Sequence, residues 1–233
     1  MTGASPSPVI EFDDVDMRYP DGTAALRGLQ LSVASGEFCF LTGPSGAGKS
    51  TLLKLVLCAE RATAGAVRVA GYDLARIKPR SIPYLRRNIG VVFQDFKLLS
   101  SRSAAENVAV ALEVRGVAPT EIQSKVRQVL AQVGLRGREH LRPDVMSGGE
   151  QQRLAVARAI LGEPAIVLAD EPTGNLDPEL GREILELLIR IHRRGTTLIV
   201  ATHDPVLVER HPQARRLHLE AGRLVEDTAE VAP

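Results

Sequence analysis

The chain has 233 residues, 44% of them hydrophobic, and its 29 basic residues are balanced by 28 acidic ones. A chain of this length and apolar content is sufficient for one large domain or two small lobes with a continuous core, and it is not intrinsically disordered. The net charge of +1 argues against nucleic-acid binding as the main task, because proteins that bind the phosphate backbone usually carry a clear basic excess.

Cysteines and terminal segments add little chemistry. Cys39 and Cys58 lie in apolar segments, where we expect two buried thiols rather than a disulfide or a metal site. No apolar run reaches the ~18 residues that a membrane helix needs, so a membrane role requires a partner protein. Residues 1–8 are expected to form a flexible N-terminal tail without signal-peptide character, and residues 228–233 a C-terminal tail.

Predicted strands and helices alternate along most of the chain, which indicates a mainly parallel sheet wrapped by helices. A helical middle section interrupts this alternation, so we expect it to form a separate lobe. The predicted strands are 9–12, 29–33, 37–42, 66–69, 89–93, 165–169, 196–201, 217–219 and 224–225. The predicted helices are 50–58, 104–135 with a break at 116–119, 150–161, and one from 178 that ends before 195.

A glycine-rich loop separates the third predicted strand from the first predicted helix. It reads Gly43-Pro44-Ser45-Gly46-Ala47-Gly48-Lys49-Ser50 and fits G-x-x-x-x-G-K-[ST] at every defined position. Such a loop curls so that its N–H groups point at phosphate oxygens, while Lys49 reaches the β- and γ-phosphates and Ser50 suits Mg²⁺. A dinucleotide fingerprint does not fit, because no third glycine follows Gly48.

Two acids end an apolar strand further along the chain. Residues 165–169 are apolar, and Asp170 and Glu171 follow directly. A strand that is buried on both faces carries acids only at its exposed end. Beside a phosphate loop, Asp170 is expected to complete the Mg²⁺ shell and Glu171 to take a proton from the attacking water. The alternative is that both acids merely begin a solvated loop.

The segment Ser147-Gly148-Gly149-Glu150-Gln151 precedes a predicted helix and resembles the signature of the ABC (ATP-binding cassette) family. Hydroxyl and N–H donors at a helix N-terminus suit a second phosphate clamp. In the family this clamp binds ATP held by the opposite subunit, so the resemblance implies a homodimer on ATP binding. The sequence departs from the usual signature at Met146, where leucine is common, and at Glu150, where glutamine is common.

Four further segments resemble ABC elements in the family's order. Tyr19 matches the residue that stacks on adenine, and Gln94 matches the glutamine that touches Mg²⁺ and links the site to the membrane partner. Asp177, in Asn-Leu-Asp, matches the loop that crosses the dimer interface, and His203 matches the switch histidine at the γ-phosphate. Thr51, next to Ser50, is expected to bind nucleotide with the loop.

The resemblance implies a P-loop NTPase fold over residues 9–227, with a mainly parallel sheet, an N-terminal antiparallel β portion and an inserted helical lobe at about 97–155. It implies an ATPase that uses ATP and Mg²⁺, acts on an integral membrane partner and lies peripherally on the cytoplasmic face of the plasma membrane. Residues 83–99 look most like those of a cell-division member, whose partner transmits force. The alternatives are lipoprotein-release or macrolide-export ATPases, an ATP-gated scaffold with negligible turnover, and a DNA-repair or translation ATPase.

Overall fold

The computed structural model describes residues 8–231, which form two sheets, seven α-helices and three short 3₁₀ helices. Ten strands are present. They are β1 (Pro8–Arg18), β2 (Ala24–Ala34), β3 (Phe38–Thr42), β4 (Ala64–Val69), β5 (Tyr72–Asp73), β6 (Ile89–Val92), β7 (Ile166–Asp170), β8 (Thr197–Ala201), β9 (Arg215–Glu220) and β10 (Arg223–Asp227). The predicted N-terminal tail lies outside the described residues except for Pro8, which begins β1. At the other end, Thr228–Val231 form a 3₁₀ turn, and residues 232–233 lie outside the described part.

The first sheet is antiparallel and has the strand order β2-β1-β4-β5. Its two long strands extend well beyond the predicted 9–12 and 29–33 because irregular pairing interrupts their alternation. In β1 the buried position after Phe12 is Val15, three residues on, and Asp14 between them has a left-handed φ of 49°. A bulge of this kind shifts the inward-facing set by one residue, so a period of two breaks there.

The second sheet, called here the central sheet, has the order β10-β9-β3-β8-β7-β6. Strands β9, β3, β8, β7 and β6 are parallel, and β10 pairs antiparallel with β9 at one edge. The predicted mainly parallel sheet is therefore confirmed. Its middle strands β3, β8 and β7 are buried on both faces. Ile166 and Leu168 of β7 belong to the core shared with the antiparallel sheet, and Val167 and Ala169 to the core shared with the longer helices.

The helices are α1 (Lys49–Val56), α2 (Ile82–Arg86), α3 (Ala104–Glu113), α4 (Pro119–Gln132), α5 (Gly148–Ile160), α6 (Pro178–His192) and α7 (Pro205–Glu209). Two of them, α2 and α7, were not predicted, since five residues are too few to show a helical period. The predicted helix 104–135 is split into α3 and α4, as Gly116 and Pro119 required. Helices α3, α4 and α5 pack on one another and share one apolar core with α6 and the central sheet.

Side-chain caps fix where three of the four longer helices begin. Ser103 and Glu106 form a reciprocal capping box at α3, and Ser147 and Glu150 form another at α5. Asp177 caps α6 by accepting hydrogen bonds from two backbone amides, with proline at the first helical position. These caps determine the residue at which each helix begins. Two of the three caps, Ser147 and Asp177, are predicted functional residues.

The central sheet places the predicted site at one edge. Strands β3, β6, β7 and β8 are parallel, so their carboxyl ends meet at the same edge. The phosphate loop follows β3, Gln94 follows β6, Asp170 ends β7, and His203 follows β8. Ligands of open α/β sheets bind outside the carboxyl ends of the strands, so this is where a binding site is expected.

Candidate functional site

The phosphate loop is held in a shape that only glycine permits at two positions. Gly43 has a φ of 140°, and an added Cβ would lie 2.2 Å from the Leu219 carbonyl oxygen. Gly48, which caps α1, has a φ of 108°, and its Cβ would lie 2.5 Å from the Ala25 carbonyl oxygen. Since both obstacles are backbone atoms, a side chain at either position would force the loop away from its neighbouring strands.

Lys49 is folded back onto its own loop. Its Nζ donates to the carbonyl oxygens of Gly43 at 2.7 Å and of Pro44 at 3.1 Å. The side chain is only 8% exposed. The ammonium is thus held at the centre of the loop and forms no ion pair with an acidic side chain of residues 8–231, so a bound phosphate oxygen would meet a positive charge that is already positioned.

Ser50 and Asp170 bring two oxygen donors together from different elements. The Ser50 hydroxyl lies 3.5 Å from Asp170 Oδ1, at the start of α1 and the end of β7 respectively. Burial raises the pKa of Asp170, an effect that the neighbouring Glu171 adds to and that the hydroxyl of Ser50 opposes. The carboxylate therefore lies where an added cation would stabilise its ionised form.

Glu171 and His203 form a hydrogen-bonded pair beside these oxygens. His203 Nδ1 lies 2.9 Å from Glu171 Oε1, and the Glu171 side chain is 14% exposed against 68% for His203. Glu171 has a left-handed φ of 46°, which residues with a side chain rarely adopt. Its amide donates to the Ala201 carbonyl of β8, which helps to hold this conformation. Strain of this kind is concentrated at functional sites.

Two more predicted residues complete the cavity wall. Gln94 is joined to the loop after Glu171, because Asn175 Nδ2 donates to the Gln94 carbonyl oxygen at 2.9 Å. The Tyr19 hydroxyl lies 3.1 Å from Thr51 Oγ1, which fixes the ring at the rim. The cavity has a volume of about 760 Å³. It is lined by Tyr19, Thr23, Ala24, Ala25, Pro44, Ser45, Gly46, Ala47, Gly48, Lys49, Ser50, Thr51, Gln94, Asp170, Glu171 and His203.

The remaining predicted residues lie outside this cavity. Ser147, Gly148 and Gly149 form the N-terminus of α5 and do not line it. Asp177 lines a neighbouring recess of about 520 Å³, whose wall also includes Glu171 and His203. One chain therefore presents a nearly complete site on one side and a separate set of donors at α5. This separation is what a clamp for the opposite subunit's nucleotide requires.

Three structural residues at the site were not predicted. Arg158 of α5 donates to the carbonyl oxygens of Lys97 at 2.6 Å and Phe96 at 2.8 Å. Gln152 of α5 donates to the Pro172 carbonyl at 2.6 Å, and the buried Asn107 holds the loop at residues 99–103. No signal in the sequence singles these residues out, because the partner of each is a backbone carbonyl or amide of another segment.

Comparisons with known proteins identify the family of the chain. The family described as "ABC transporter" matches residues 26–174. Solved structures with the same fold include a dimeric, post-hydrolysis ATP-binding cassette, MJ0796, bound to ADP and Pi (32% identity, TM-score 0.85, covering 94% of this chain and 97% of that one). CbiO1 of Clostridium perfringens is another (28% identity, TM-score 0.86, covering 95% and 88%). The fold is that of an ABC-type ATPase, and the chain belongs to the ABC transporter family.

Within that family the chain is similar to proteins named "Cell division ATP-binding protein FtsE". The protein of that name from Streptococcus pneumoniae D39 is 46% identical, over 95% of this chain and 96% of the relative. Those of Mycobacterium tuberculosis (48% identity; 94% and 95%) and Escherichia coli K12 (45%; 93% and 97%) are comparable. The chain is thus an ATP-binding, ATP-hydrolysing subunit most like FtsE, and the predicted family and fold class are confirmed. Among the helices of residues 8–231, none combines the length and apolar character needed to cross a bilayer.

Proposed function

We propose that the chain is the ATP-driven subunit of a membrane complex. It acts with an FtsX-like integral membrane protein in cell division and in the control of peptidoglycan hydrolysis, from the cytoplasmic face of the plasma membrane. The observation that carries this proposal is the meeting of Lys49, Asp170, Glu171 and His203 at one cavity of the central sheet. The similarity to FtsE proteins supports the choice of process and partner.

The cavity fits a nucleoside triphosphate with Mg²⁺. Ser50 and Asp170 offer a hydroxyl and a carboxylate 3.5 Å apart, and Gln94 adds an amide oxygen on the same wall. Hard oxygen donors of this kind suit Mg²⁺, which also takes ligands from substrate phosphates. When bound, the ion would neutralise charge that develops on the phosphates. Tyr19 at the rim would stack on the base, and Thr51 holds its ring in place.

The chemistry of hydrolysis is assigned to the residues at the strand ends. Lys49 exchanges its two carbonyl partners for phosphate oxygens when nucleotide enters. Glu171 accepts a proton from the attacking water. His203 orients the Glu171 carboxylate through their 2.9 Å hydrogen bond. A positioned general base of this type typically contributes about 10²–10⁴ in rate.

The clamp at the start of α5 is assigned to a second copy of the chain. Ser147 and Gly148 are exposed and lie outside the chain's own cavity, so their donors are available to another nucleotide. The MJ0796 cassette, with 97% of its length covered, is described as dimeric. We therefore expect two chains to close head to tail around two nucleotides, with Asp177 at the interface.

The link to the membrane partner is assigned to the loop that carries Gln94. The residues after it, Phe96 and Lys97, both have left-handed φ angles, and Arg158 of α5 holds their carbonyl oxygens. A groove of about 550 Å³ beside this loop has a basic rim that includes Arg86 and Arg87. We assign the groove to the partner, and the helices of residues 97–155, within a domain of 9–227, to the moving lobe.

The substitution Glu171→Gln tests the proposal, with Glu121→Gln on the exposed face of α4 as the control. Glutamine keeps the shape and can still hydrogen-bond His203, but it cannot accept the proton. We expect ATP binding to be retained, steady-state turnover to fall about 10²–10⁴-fold, and the ATP-bound dimer to accumulate in light scattering. Undiminished phosphate release from this variant would remove Glu171 from its role. Co-purification with an FtsX-like protein tests the partner.

A further inference from the structure

One buried side chain joins the clamp of α5 to the loop that carries Glu171 of the same chain. Gln152 lies in the second turn of α5, five residues after Ser147, and is 0% exposed. Its Nε2 donates to the carbonyl oxygen of Pro172 at 2.6 Å, and Pro172 directly follows Glu171. The hydrogen bond spans twenty residues of sequence. It connects the start of α5 with the loop after β7, two segments that the proposed function assigns to different nucleotides.

The other polar atom of Gln152 shows that the amide is not there for packing. Its Oε1 is buried and has no hydrogen-bond partner among the described residues. A buried acceptor without a partner costs free energy, so an apolar side chain of the same length would suit this core at least as well. The amide therefore contributes through the one bond that it makes, to the carbonyl oxygen of Pro172.

That bond acts on a backbone segment that needs external support. Glu171 has a left-handed φ of 46°, and its amide is held by the Ala201 carbonyl of β8 at 2.9 Å. The carbonyl of Glu171 accepts from Gly174 within its own loop at 3.1 Å. The central sheet thus fixes the residue before the turn, and α5 fixes the residue after it through Gln152.

We propose that Gln152 is a positioning residue that couples the two nucleotide sites of the dimer. When Ser147 and Gly149 engage the opposite subunit's nucleotide, the position of α5 is fixed, and Gln152 then fixes Pro172 and orients the carboxylate of Glu171 toward the chain's own nucleotide. Hydrolysis at one site thereby depends on the clamp at the other. The inference rests on the proposed dimer.

The test is Gln152→Met, with Gln152→Leu as a second variant without a donor and the exposed Gln128→Met of α4 as the control. A misplacement of a catalytic group by about 1 Å can cost about 10²-fold in rate. We expect kcat to fall about 10–100-fold, the Hill coefficient for ATP to fall toward one, and ATP affinity and Tm to stay near their wild-type values. Amide hydrogen exchange of residues 171–174 should become faster without nucleotide.

Three outcomes separate the explanations. If both donor-free variants keep wild-type kcat and cooperativity, the positioning role is wrong. If Tm and ATP affinity fall together with kcat, Gln152 is a packing residue and the proposal is overturned. If the wild-type protein itself forms no ATP-dependent dimer, the proposed function fails. In that case unchanged exchange at residues 171–174 in Gln152→Met also overturns the positioning role, while faster exchange supports it.

Discussion

The two glycines of the clamp can be substituted separately to test its role, because their surroundings differ. Gly149 is buried, and an added Cβ would lie 2.4 Å from Leu180 Cδ2 and 2.7 Å from Cδ1 on α6. Gly148 is exposed, and its Cβ would meet only Leu176 Cδ2 at 3.7 Å, an ordinary contact. Neither glycine has a positive φ, so alanine is compatible with the backbone at both positions.

The expected stabilities follow from two opposing effects. Alanine in place of a helical glycine gains about 0.8–1.0 kcal/mol. At Gly149 the overlap with Leu180 costs about 1–3 kcal/mol, so Gly149→Ala should be destabilised by roughly 0–2 kcal/mol and still fold. Gly148→Ala meets no such obstacle and should be as stable as the wild type or slightly more stable.

The activities should separate the two positions further. We expect Gly149→Ala to lose ATPase activity. The cause lies in its own chain, because Leu180 or the start of α5 must move to make room for the methyl group. A second substitution, Leu180→Ala, makes room and should restore part of the turnover. In Gly148→Ala the methyl group lies on the exposed side of the clamp, so we expect turnover to fall at least about tenfold, about 1.4 kcal/mol of barrier, with no loss of Tm.

Thermal unfolding and steady-state phosphate release on the three single variants and on the double variant decide the matter. Gly148→Ala with wild-type turnover would show that the exposed side of the clamp does not meet a nucleotide. A double variant no more active than Gly149→Ala would show that Leu180 is not the obstacle. Either result would contradict the effects expected from the space around Gly148 and Gly149.

Three other predictions concern separate features of the chain. Lys49→Ala should abolish ATP binding in calorimetry, since it removes the buried ammonium of the phosphate loop, whereas Lys125→Ala, at a half-buried position of α4, should bind normally. Arg158→Met should keep basal ATPase activity but lose stimulation by the membrane partner, and equal loss of both would contradict a role in the link to that partner. Asp227→Asn should lower stability at pH 7 by about 1.5 kcal/mol, because it weakens the two hydrogen bonds of 2.7 and 2.5 Å from Arg215, which keeps Glu37 as a second acidic partner.

The pH dependence of that last effect has a definite sign. Burial raises the pKa of Asp227, but the hydrogen bonds from Arg215 and from the Ala229 amide outweigh it and hold the pKa below the ordinary value. A folded-state pKa below the unfolded one stabilises the protein above about pH 4 and loses that effect as the pH falls further. Chemical denaturation should therefore show the difference between wild type and Asp227→Asn shrinking below about pH 4; a constant difference would contradict it.

The phosphate loop and the strand ends could be predicted because the residues that give them their chemistry are contiguous in the sequence. A run such as Gly43 to Ser50 carries its own geometry, and an acid that ends an apolar strand marks the sheet edge. The long antiparallel strands could not be predicted over their full length. In β2 the buried positions are Leu26 and then Leu29, with Gly28 at a φ of 55° between them, so the period of two fails locally while the pairing with β1 continues.

Contacts between distant segments are the other part that the sequence left open. Gln152 and Arg158 lie in helix α5, where a period of 3.6 predicts only that one face is buried. Their partners, the carbonyl oxygens of Pro172, Phe96 and Lys97, belong to loops placed by the central sheet. A backbone carbonyl has no residue-specific signature, so such bonds become visible only when the chain is folded.

Glu150, where the family usually has glutamine, can be interpreted from the same geometry. Its Oε2 accepts from the Ser147 amide at 2.9 Å, and its Oε1 lies 3.5 Å from Arg138 Nε. The hydrogen bond from the Ser147 backbone lowers the pKa of Glu150, and a negative charge at a helix N-terminus is favourable. The carboxylate is therefore directed back at its own helix and at Arg138, and it uses the Ser147 amide as a cap. The donors left for the opposite nucleotide are then the Ser147 hydroxyl and the amides of Gly148 and Gly149, so the clamp keeps its shape while the acid is partly neutralised within its own chain.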